Sequence, residues 1–184
     1  MQQRLIKSAE SGFTLLEIVV AIVLLGILTT IAVFSFEGSK SRGQLLVSGM
    51  DEYGNALIRM KTDTACYPKT LNALFVKTAA ASSSCEISLV EQWNGPYTKD
   101  ARSDGNGDIL LDQLAPGIVL SIEATAVGGG SQWYVSAAGV PNDILTQALI
   151  ACNGSDKGPG RCAGSPGSGG VKTGKLMLKF SETR

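Results

Sequence analysis

The feature that most constrains this chain is an apolar run near its amino terminus, SGFTLLEIVVAIVLLGILTTIAVFSF at residues 11–36. The segment 13–36 has 24 residues. As a helix it would span about 36 Å, which exceeds the ~30 Å hydrocarbon core of a bilayer. It carries one carboxylate, Glu17, and a charge at the centre of a membrane helix costs at least about 2.5 kcal/mol. The sequence therefore predicts a membrane helix whose glutamate requires a partner.

The residues before this run are polar and basic. Arg4 and Lys7 predict a cytoplasmic amino terminus with the remainder of the chain outside. No small-residue cleavage site follows the apolar run, which argues against an ordinary secretory signal. A cut between Gly12 and Phe13 would instead create an α-amine about one helical turn before Glu17. The two charges could then pair within one chain or between neighbouring subunits, which would select one stagger of packed helices.

This pattern of glycine, aromatic, hydroxyl, two leucines, glutamate and uninterrupted apolar residues resembles the class III signal of type IV pilins and type II secretion pseudopilins. The resemblance implies that a prepilin peptidase cleaves after Gly12 and methylates the new amino-terminal Phe13. It also implies that Glu17 guides subunit docking. A single-pass anchor that tolerates a glutamate at its edge is the plainer alternative.

The resemblance and the periodicity together predict a pilin fold of the α+β class. A long amino-terminal helix would have a membrane-spanning half and an amphipathic half, and would pack on an antiparallel sheet of about four strands. The amphipathic half repeats apolar residues at helical spacing: Leu46, Met50, Tyr53, Leu57 and Met60. The predicted divisions are a leader at 1–12, a membrane and filament-core helix at 13–36, the amphipathic half at 37–63 and a globular head at 64–184.

Turn signals divide the predicted head into strands and a short helix. Strands are expected at 108–115, 118–127, 132–139 and 174–182, and Pro116-Gly117 and a glycine run at 128–130 mark the turns between the first three. A short helix is expected at 141–152 with Asn142 as its N-cap. The segment 64–107 would connect helix to sheet, and its Trp93-Asn94-Gly95-Pro96-Tyr97 sequence resembles the corresponding connection of pilins and major pseudopilins.

Composition narrows the function. Histidine is absent and the 16 basic residues balance the 16 acidic ones, so a histidine-dependent catalytic triad or zinc site is excluded and a dedicated nucleic-acid protein is disfavoured. No nucleophile and base form a recognisable set, so the chain is predicted not to be an enzyme. The four cysteines, Cys66, Cys85, Cys152 and Cys162, indicate disulfides in an oxidising compartment. Three pairings are open, and the sequential one is favoured because each bond then closes a short loop.

Two weaker signals concern ligands. Asp104, Asn106 and Asp108 alternate as in a calcium loop. The resemblance to major pseudopilins, which use a loop-bound calcium, points the same way. However, Ile109 and Ala115 stand where a calcium loop needs glycine and glutamate. No cofactor is therefore predicted, with calcium as an alternative to a solvated turn. The glycine-rich stretch 152–184 carries six basic residues against two acidic ones. It could contact nucleic-acid phosphates or a neighbouring subunit, and a solvated loop is the simplest interpretation.

The main prediction is thus a type IV pilus subunit that serves adhesion, motility or DNA uptake. Its partners would be copies of itself, the prepilin peptidase, the inner-membrane assembly machinery and the membrane through 13–36. It would sit in the inner membrane before assembly and on the cell surface afterwards. One alternative is a pseudopilin in a periplasmic pseudopilus of type II secretion. Another is an anchored periplasmic binding protein that never polymerises.

Overall fold

The structure, a computed structural model, describes residues 15–157, 160–168, 170 and 172–183, and for residues 27–37 it describes the backbone alone. The chain divides into two compact units, Met1–Gly38 and Ser39–Arg184. Helix α1 spans Leu15–Thr64, so its residues up to Gly38 belong to the first unit. The predicted leader, including Gly12, and Phe13 lie outside the described residues.

The second unit combines the remainder of α1 with a sheet. After α1 come two short 3₁₀ helices, Leu71–Leu74 and Lys77–Ala81. The later elements are β1 (Ile109–Leu110), β2 (Val119–Val127), β3 (Gly130–Pro141), α2 (Asn142–Asn153), β4 (Cys162–Ser165) and β5 (Thr173–Thr183). The strands form one antiparallel sheet in the order β1-β2-β3-β5-β4. The predicted α+β class is confirmed, with five strands instead of about four.

Buried side chains of α1 and of the sheet form one core. The amphipathic stripe is buried as its spacing predicts, because Leu46, Met50, Leu57 and Met60 are fully covered. The sheet contributes alternate residues of its central strands to the same cluster: Leu120, Val135, Ala137, Leu176 and Leu178. At Gly54 a Cβ atom would lie 2.9 Å from Cβ of Phe180 in β5, so the absent side chain lets helix and sheet approach closely.

Two predicted boundaries are wrong. The strand expected at 108–115 ends at Leu110, because the chain reverses there: the Leu111 amide donates to the Ile118 carbonyl at 2.9 Å. Asn142 is not the N-cap of α2 but its first residue, and Pro141 precedes it without a side-chain cap. The Asn142 side-chain oxygen instead accepts a hydrogen bond from the Gly167 amide at 3.2 Å.

The carboxyl-terminal glycine-rich stretch is more ordered than expected. The structure joins Cys66 to Cys85 and Cys152 to Cys162. Directly after the second bond, β4 pairs with β5 at the sheet edge, where a solvated loop was predicted. Asn153 holds this junction, since its amide donates to the Cys162 carbonyl at 2.8 Å and its oxygen accepts from the Cys162 amide at 3.0 Å.

Gly43 of α1 lies directly against α2, and we expect its substitution to destabilise the fold. A Cβ atom there would lie 2.7 Å from the backbone nitrogen of Ala148 and 2.8 Å from Cβ of Gln147, both in α2. Gly43→Ala should lower the free energy of unfolding by about 1–3 kcal/mol, because the backbone of α2 must shift. Urea unfolding followed by tryptophan fluorescence reports this unit, which contains both tryptophans of the chain, Trp93 and Trp133.

Gly49 supplies the matched control on the same helix. A Cβ atom there has no neighbour within 4 Å, so Gly49→Ala should be neutral or should stabilise by up to about 1 kcal/mol through helix propensity. Equal effects of the two substitutions would show that helix propensity alone, and not the contact with α2, governs Gly43.

Candidate assembly site

The described residues of the first unit present an apolar surface. All side chains from Leu15 to Gly26 are exposed in the single chain. The large apolar ones are Leu15, Leu16, Ile18, Val19, Val20, Ile22, Val23, Leu24 and Leu25. An exposed apolar surface this continuous marks a site of contact with a membrane or with another protein.

Glu17 is the carboxylate within this surface. It lies in the first turn of α1 and its side chain is exposed. Glu17 is the one charged residue within 15–26, so the carboxylate is a distinctive feature of this apolar surface.

The structure describes only part of the predicted membrane span. Among the helical residues that are described, none of the helices is both long enough and apolar enough to cross a bilayer. Residues 13 and 14 and the side chains of 27–36 lie outside that description. The span 13–36 stays a prediction.

Tyr97 links the helix-to-sheet connection to the end of α1 through hydrogen bonds. Its hydroxyl donates to the Asp63 carboxylate at 2.8 Å, and its carbonyl accepts from the Arg59 guanidinium at 2.7 Å. Its amide donates to the Leu74 carbonyl at 2.7 Å, which ties in the first 3₁₀ helix. Burial raises the pKa of the Tyr97 phenol, and the hydrogen bond to Asp63 raises it further against the opposing bond from the Asn94 amide. The phenol thus stays protonated and keeps donating near neutral pH.

Trp93 completes this connection. Its indole nitrogen donates to the Ala73 carbonyl at 2.8 Å, and its ring meets that of Tyr97 edge-on with centroids 5.9 Å apart. The two aromatic residues on either side of the Asn94-Gly95-Pro96 turn therefore pin the connection to α1 and to the first 3₁₀ helix. Their role is structural, which agrees with the interpretation of this motif as a connection between helix and sheet.

The predicted calcium residues meet in one tight loop, in which Asp104 accepts three hydrogen bonds. One carboxylate oxygen of Asp104 accepts the amides of Asn106 and Asp108 at 2.8 and 2.9 Å, and the other accepts the Asn106 side-chain amide at 3.3 Å. Asp104 thus orders its own loop, and calcium binding there stays a prediction, since Ca²⁺ takes six to eight oxygen ligands. Over the described part of the chain, no group of three or more Asp, Glu, Cys or His side chains could hold a metal ion.

Three of the six basic residues of 152–184 form ion pairs. Arg161 binds Asp51 at 2.8 Å, Lys175 binds Glu123 at 2.6 Å, and Lys179 binds Glu182 at 2.7 Å. These three pairs neutralise half of the six predicted cations. A phosphate-binding surface gains little from charges that are already paired, so the structure gives no support to contact with nucleic acid.

The Glu123–Lys175 pair belongs to a polar network on the outer face of the sheet that sequence reasoning missed. Both carboxylate oxygens of Glu123 accept from the Lys175 ammonium, at 2.6 and 2.7 Å, and one also accepts from the Ser136 hydroxyl at 2.8 Å. Ser136 is fully buried and shares a 2.8 Å hydrogen bond with Ser121. The signal was present as polar residues alternating with the core residues of β2 and β3, but their pairing depends on strand order.

This network makes a prediction about pH. Burial raises the pKa of Glu123, but hydrogen bonds from Lys175 and Ser136 and the lysine charge outweigh burial and hold the pKa below its usual value. Ionised Glu123 therefore stabilises the fold above the pKa of the unfolded chain, and this contribution is lost as pH falls through the folded pKa. Lys175→Met should lower the free energy of unfolding by about 1 kcal/mol at pH 7 and by less at pH 3.

Urea unfolding at the two pH values measures this difference. Arg102→Met is the control, because the Arg102–Asp112 pair is far more exposed, with 76% of the arginine side chain accessible, and its removal should change stability by less than ~0.5 kcal/mol at either pH. A pH-independent loss in Lys175→Met would contradict the assignment to the charge of Glu123.

Comparison with known proteins identifies the family. Residues 7–33 match the prokaryotic N-terminal methylation motif, which includes Gly12, Phe13 and Glu17. The chain is 34% identical over 143 residues to the type II secretion system core protein G of Aeromonas hydrophila, an alignment that spans 75% of this chain and 92% of that protein. The chain belongs to the pilin and pseudopilin family.

Further pseudopilin relatives match over shorter stretches. The core protein G of Klebsiella pneumoniae is 38% identical over 76 residues, 40% of this chain and 54% of that protein. That of Vibrio cholerae is 40% identical over 73 residues, 37% of this chain and 50% of that protein. No solved structure matches the chain significantly. These relatives are secretion proteins, so they favour the pseudopilin alternative over the pilus subunit.

Membership in this family confirms the predicted class III prepilin. It also decides whether the chain is an enzyme. Pilins and pseudopilins are structural subunits, so this chain is not an enzyme. The roles of Gly12, Phe13 and Glu17 are not tested by the geometry, because Gly12 and Phe13 lie outside the described residues and Glu17 is seen in a single copy of the chain.

Proposed function

We propose that this chain is a pseudopilin of a type II secretion system. The observation that carries the proposal is the 34% identity to a type II secretion core protein G over 92% of that protein's length. The head as well as the amino-terminal motif is therefore shared, since the motif alone covers only residues 7–33. In this proposal the subunit enters the inner membrane and assembles into a periplasmic pseudopilus.

Processing prepares the subunit for assembly. A prepilin peptidase cuts the peptide bond after Gly12 and methylates the amine of Phe13. The mature chain then begins at the end of an apolar helix and carries a cationic amine about one turn before Glu17. The amine of one subunit and the carboxylate of another can pair as the subunits stack, which leaves neither charge isolated among apolar residues.

The exposed apolar residues 15–26 provide the driving force for assembly. They stay covered by lipid while the subunit is in the membrane, and they must be covered again when it leaves. Packing against the same segment of other copies provides that cover. The head, with its disulfides and its paired charges, remains in the oxidising periplasm.

Deletion of the gene separates this proposal from a pilus subunit. We expect loss of exoprotein secretion, without loss of surface fibres, and recovery when the wild-type chain is supplied. Intact mass of the membrane-associated protein should correspond to a chain that begins at methylated Phe13. Loss of surface fibres with normal secretion would establish the pilus function instead, and an unprocessed chain with neither phenotype would indicate a simple membrane anchor.

A further inference from the structure

The two disulfides of the head differ in how far solvent reaches their sulfurs. In the Cys66–Cys85 bond, Cys66 is buried but Cys85 is exposed. In the Cys152–Cys162 bond, Cys162 is buried and Cys152 is only partly exposed. A thiolate must reach a disulfide sulfur in order to attack it, so access favours the first bond, and within that bond it favours Cys85.

Cys85 lies in a loop that faces solvent along its whole length. All residues from 84 to 88 are exposed. Among the described contacts, the one hydrogen-bonding neighbour of the Cys85 sulfur is the Ser84 hydroxyl, 3.9 Å away. The outer side of this sulfur therefore has room for an attacking thiolate and for the mixed disulfide that the attack would form.

The loop keeps its shape through contacts other than the disulfide. Ser83 is fully buried, and its hydroxyl donates to the Ile87 carbonyl at 2.7 Å and accepts from the Ile87 amide at 3.2 Å. The Ser83 carbonyl also accepts from the Glu86 amide at 3.2 Å. These bonds close residues 83–87 into a turn around Cys85, which can persist when the bond between the sulfurs is open.

The same loop is tied to the segment that follows Cys66. The Ser84 amide donates to the Tyr67 carbonyl at 2.8 Å, and the Lys69 amide donates to the Ser82 carbonyl at 3.2 Å. These backbone bonds hold the two cysteine-bearing segments side by side without the disulfide. The two sulfurs thus stay close after the bond opens, and their high effective concentration favours its closure.

We propose that Cys66–Cys85 is a reversible thiol–disulfide exchange site that a dithiol protein enters at Cys85. The partner's thiolate attacks Sγ of Cys85, the bond to Cys66 breaks, and its electron pair leaves on Sγ of Cys66, which takes a proton from water. The partner's second thiolate then attacks the sulfur that the partner contributed to the mixed disulfide. Cys85 leaves as a thiolate and is protonated in turn. The disulfide of the chain is thereby reduced by two electrons while the dithiol is oxidised to a disulfide, and the reverse sequence closes the bond.

A dithiol fits this site better than a monothiol does. After attack by a monothiol, the nearby Cys66 thiolate attacks Cys85 and restores the original bond before a second molecule arrives. A second thiol within the same partner acts at a comparable effective concentration and can complete the exchange. The site concerns the head alone, so the inference goes beyond the proposed pseudopilus and does not depend on it.

Rates of opening test the role of access. The full chain in detergent is treated with dithiothreitol for increasing times, quenched with acid and alkylated, and labelled cysteines are measured by peptide mass. In the folded chain Cys66–Cys85 should open about tenfold or more faster than Cys152–Cys162, because only the first bond has an exposed sulfur. The same treatment in concentrated urea is the control and should abolish the difference. Equal opening of the two bonds in the folded chain, or a difference that persists in urea, would overturn the proposal.

A trapped intermediate identifies the sulfur that is attacked. Thioredoxin whose second active-site cysteine is replaced by serine cannot complete the exchange, so acid quenching should capture it as a mixed disulfide with the chain. The adduct should lie on Cys85, about tenfold or more in excess over Cys66, since the latter is buried. Reduced glutathione should give little net opening. An adduct mainly on Cys66, or on the second disulfide, would contradict entry at Cys85.

One further variant tests whether the loop prepares the bond for closure. Ser83→Ala removes both hydrogen bonds to Ile87, so closure of the reduced chain by oxidised glutathione should be about fivefold slower. Ser88→Ala is the matched control, because the Ser88 hydroxyl contacts only the Val90 amide, at 3.4 Å, outside the turn. Tryptophan fluorescence verifies that both variants fold. Closure at the same rate in both variants would show that the turn does not position Cys85.

Discussion

Replacement of Glu17 by leucine should leave the chain processed and membrane-bound but should abolish its assembly. We expect assembled material to fall by roughly two orders of magnitude or more, with exoprotein secretion lost in parallel. The measurement is the yield of cross-linked or sheared multimers relative to total processed subunit, with intact mass confirming the cut after Gly12.

The expected size follows from the charge that would be left behind. In the proposed assembly the amine of Phe13 and the carboxylate of Glu17 neutralise each other among apolar helices. Removal of one partner of a buried ion pair costs about 3–5 kcal/mol, because the remaining charge is desolvated without compensation. Each 1.4 kcal/mol corresponds to about a tenfold change in an equilibrium constant, so a loss of two or more orders of magnitude results.

Two controls separate charge from packing. Glu17→Gln keeps the size of the side chain and removes its charge, and it should assemble as poorly as the leucine variant. Ile18→Leu alters the adjacent exposed apolar residue without changing charge, and it should assemble normally. If Glu17→Leu formed multimers as efficiently as the wild type, charge pairing could not explain why a glutamate occupies this helix.

The parts of the fold that depend on local periodicity were predictable from sequence. The stripe that includes Leu46, Met50 and Leu57 is buried as expected because helical spacing alone decides which face of α1 is apolar. The β2–β3 hairpin was predictable because alternation of apolar residues and a glycine turn specify a strand pair within one short segment. In both cases neighbouring residues carry all the information.

The parts that depend on distant contacts were not predictable. Strand β1 stops at Leu110 because Leu111 turns back onto Ile118, although 108–115 reads as a continuous strand. Strand β4 has a glycine-rich composition typical of a loop and becomes a strand because β5 offers it a partner. The insertion of β5 between β3 and β4 is likewise a matter of sheet order, which periodicity does not encode.

The functional residues likewise separate into those that the sequence predicts and those that it does not. Gly12, Phe13 and Glu17 stand out because they form one short motif, whereas the Glu123–Lys175 pair could not be inferred before the order of the strands was known. The Asp104, Asn106 and Asp108 spacing suggested a metal, yet spacing does not show where an oxygen points. In the structure the Asp104 carboxylate accepts hydrogen bonds from amides of its own loop.

Removal of the Cys66–Cys85 bond is the second large effect that we expect. This bond joins residues 19 apart and encloses both 3₁₀ helices. The enclosed segment supplies buried core residues, among them Tyr67, Leu71 and Leu74, so its conformational freedom in the unfolded chain matters directly for stability. The double variant Cys66→Ser/Cys85→Ser should lose about 3 kcal/mol, which lowers the melting temperature by roughly 6–12 °C.

The Cys152–Cys162 bond is the internal comparison for this prediction. It joins residues only 10 apart, so loop entropy alone makes it worth roughly 0.5 kcal/mol less. Hydrogen bonds support both junctions: Asn153 makes two to the backbone of Cys162. Beside the other bond, the Ser84 amide donates to the Tyr67 carbonyl at 2.8 Å and the Lys69 amide to the Ser82 carbonyl at 3.2 Å. The difference in loop length and in enclosed core residues therefore decides the ranking. Thermal unfolding of both double-serine variants should therefore rank Cys66–Cys85 as the more important bond. The reverse order would mean that the enclosed core segment is held in place by its packing and by the Tyr97 hydrogen bonds, and not by the disulfide.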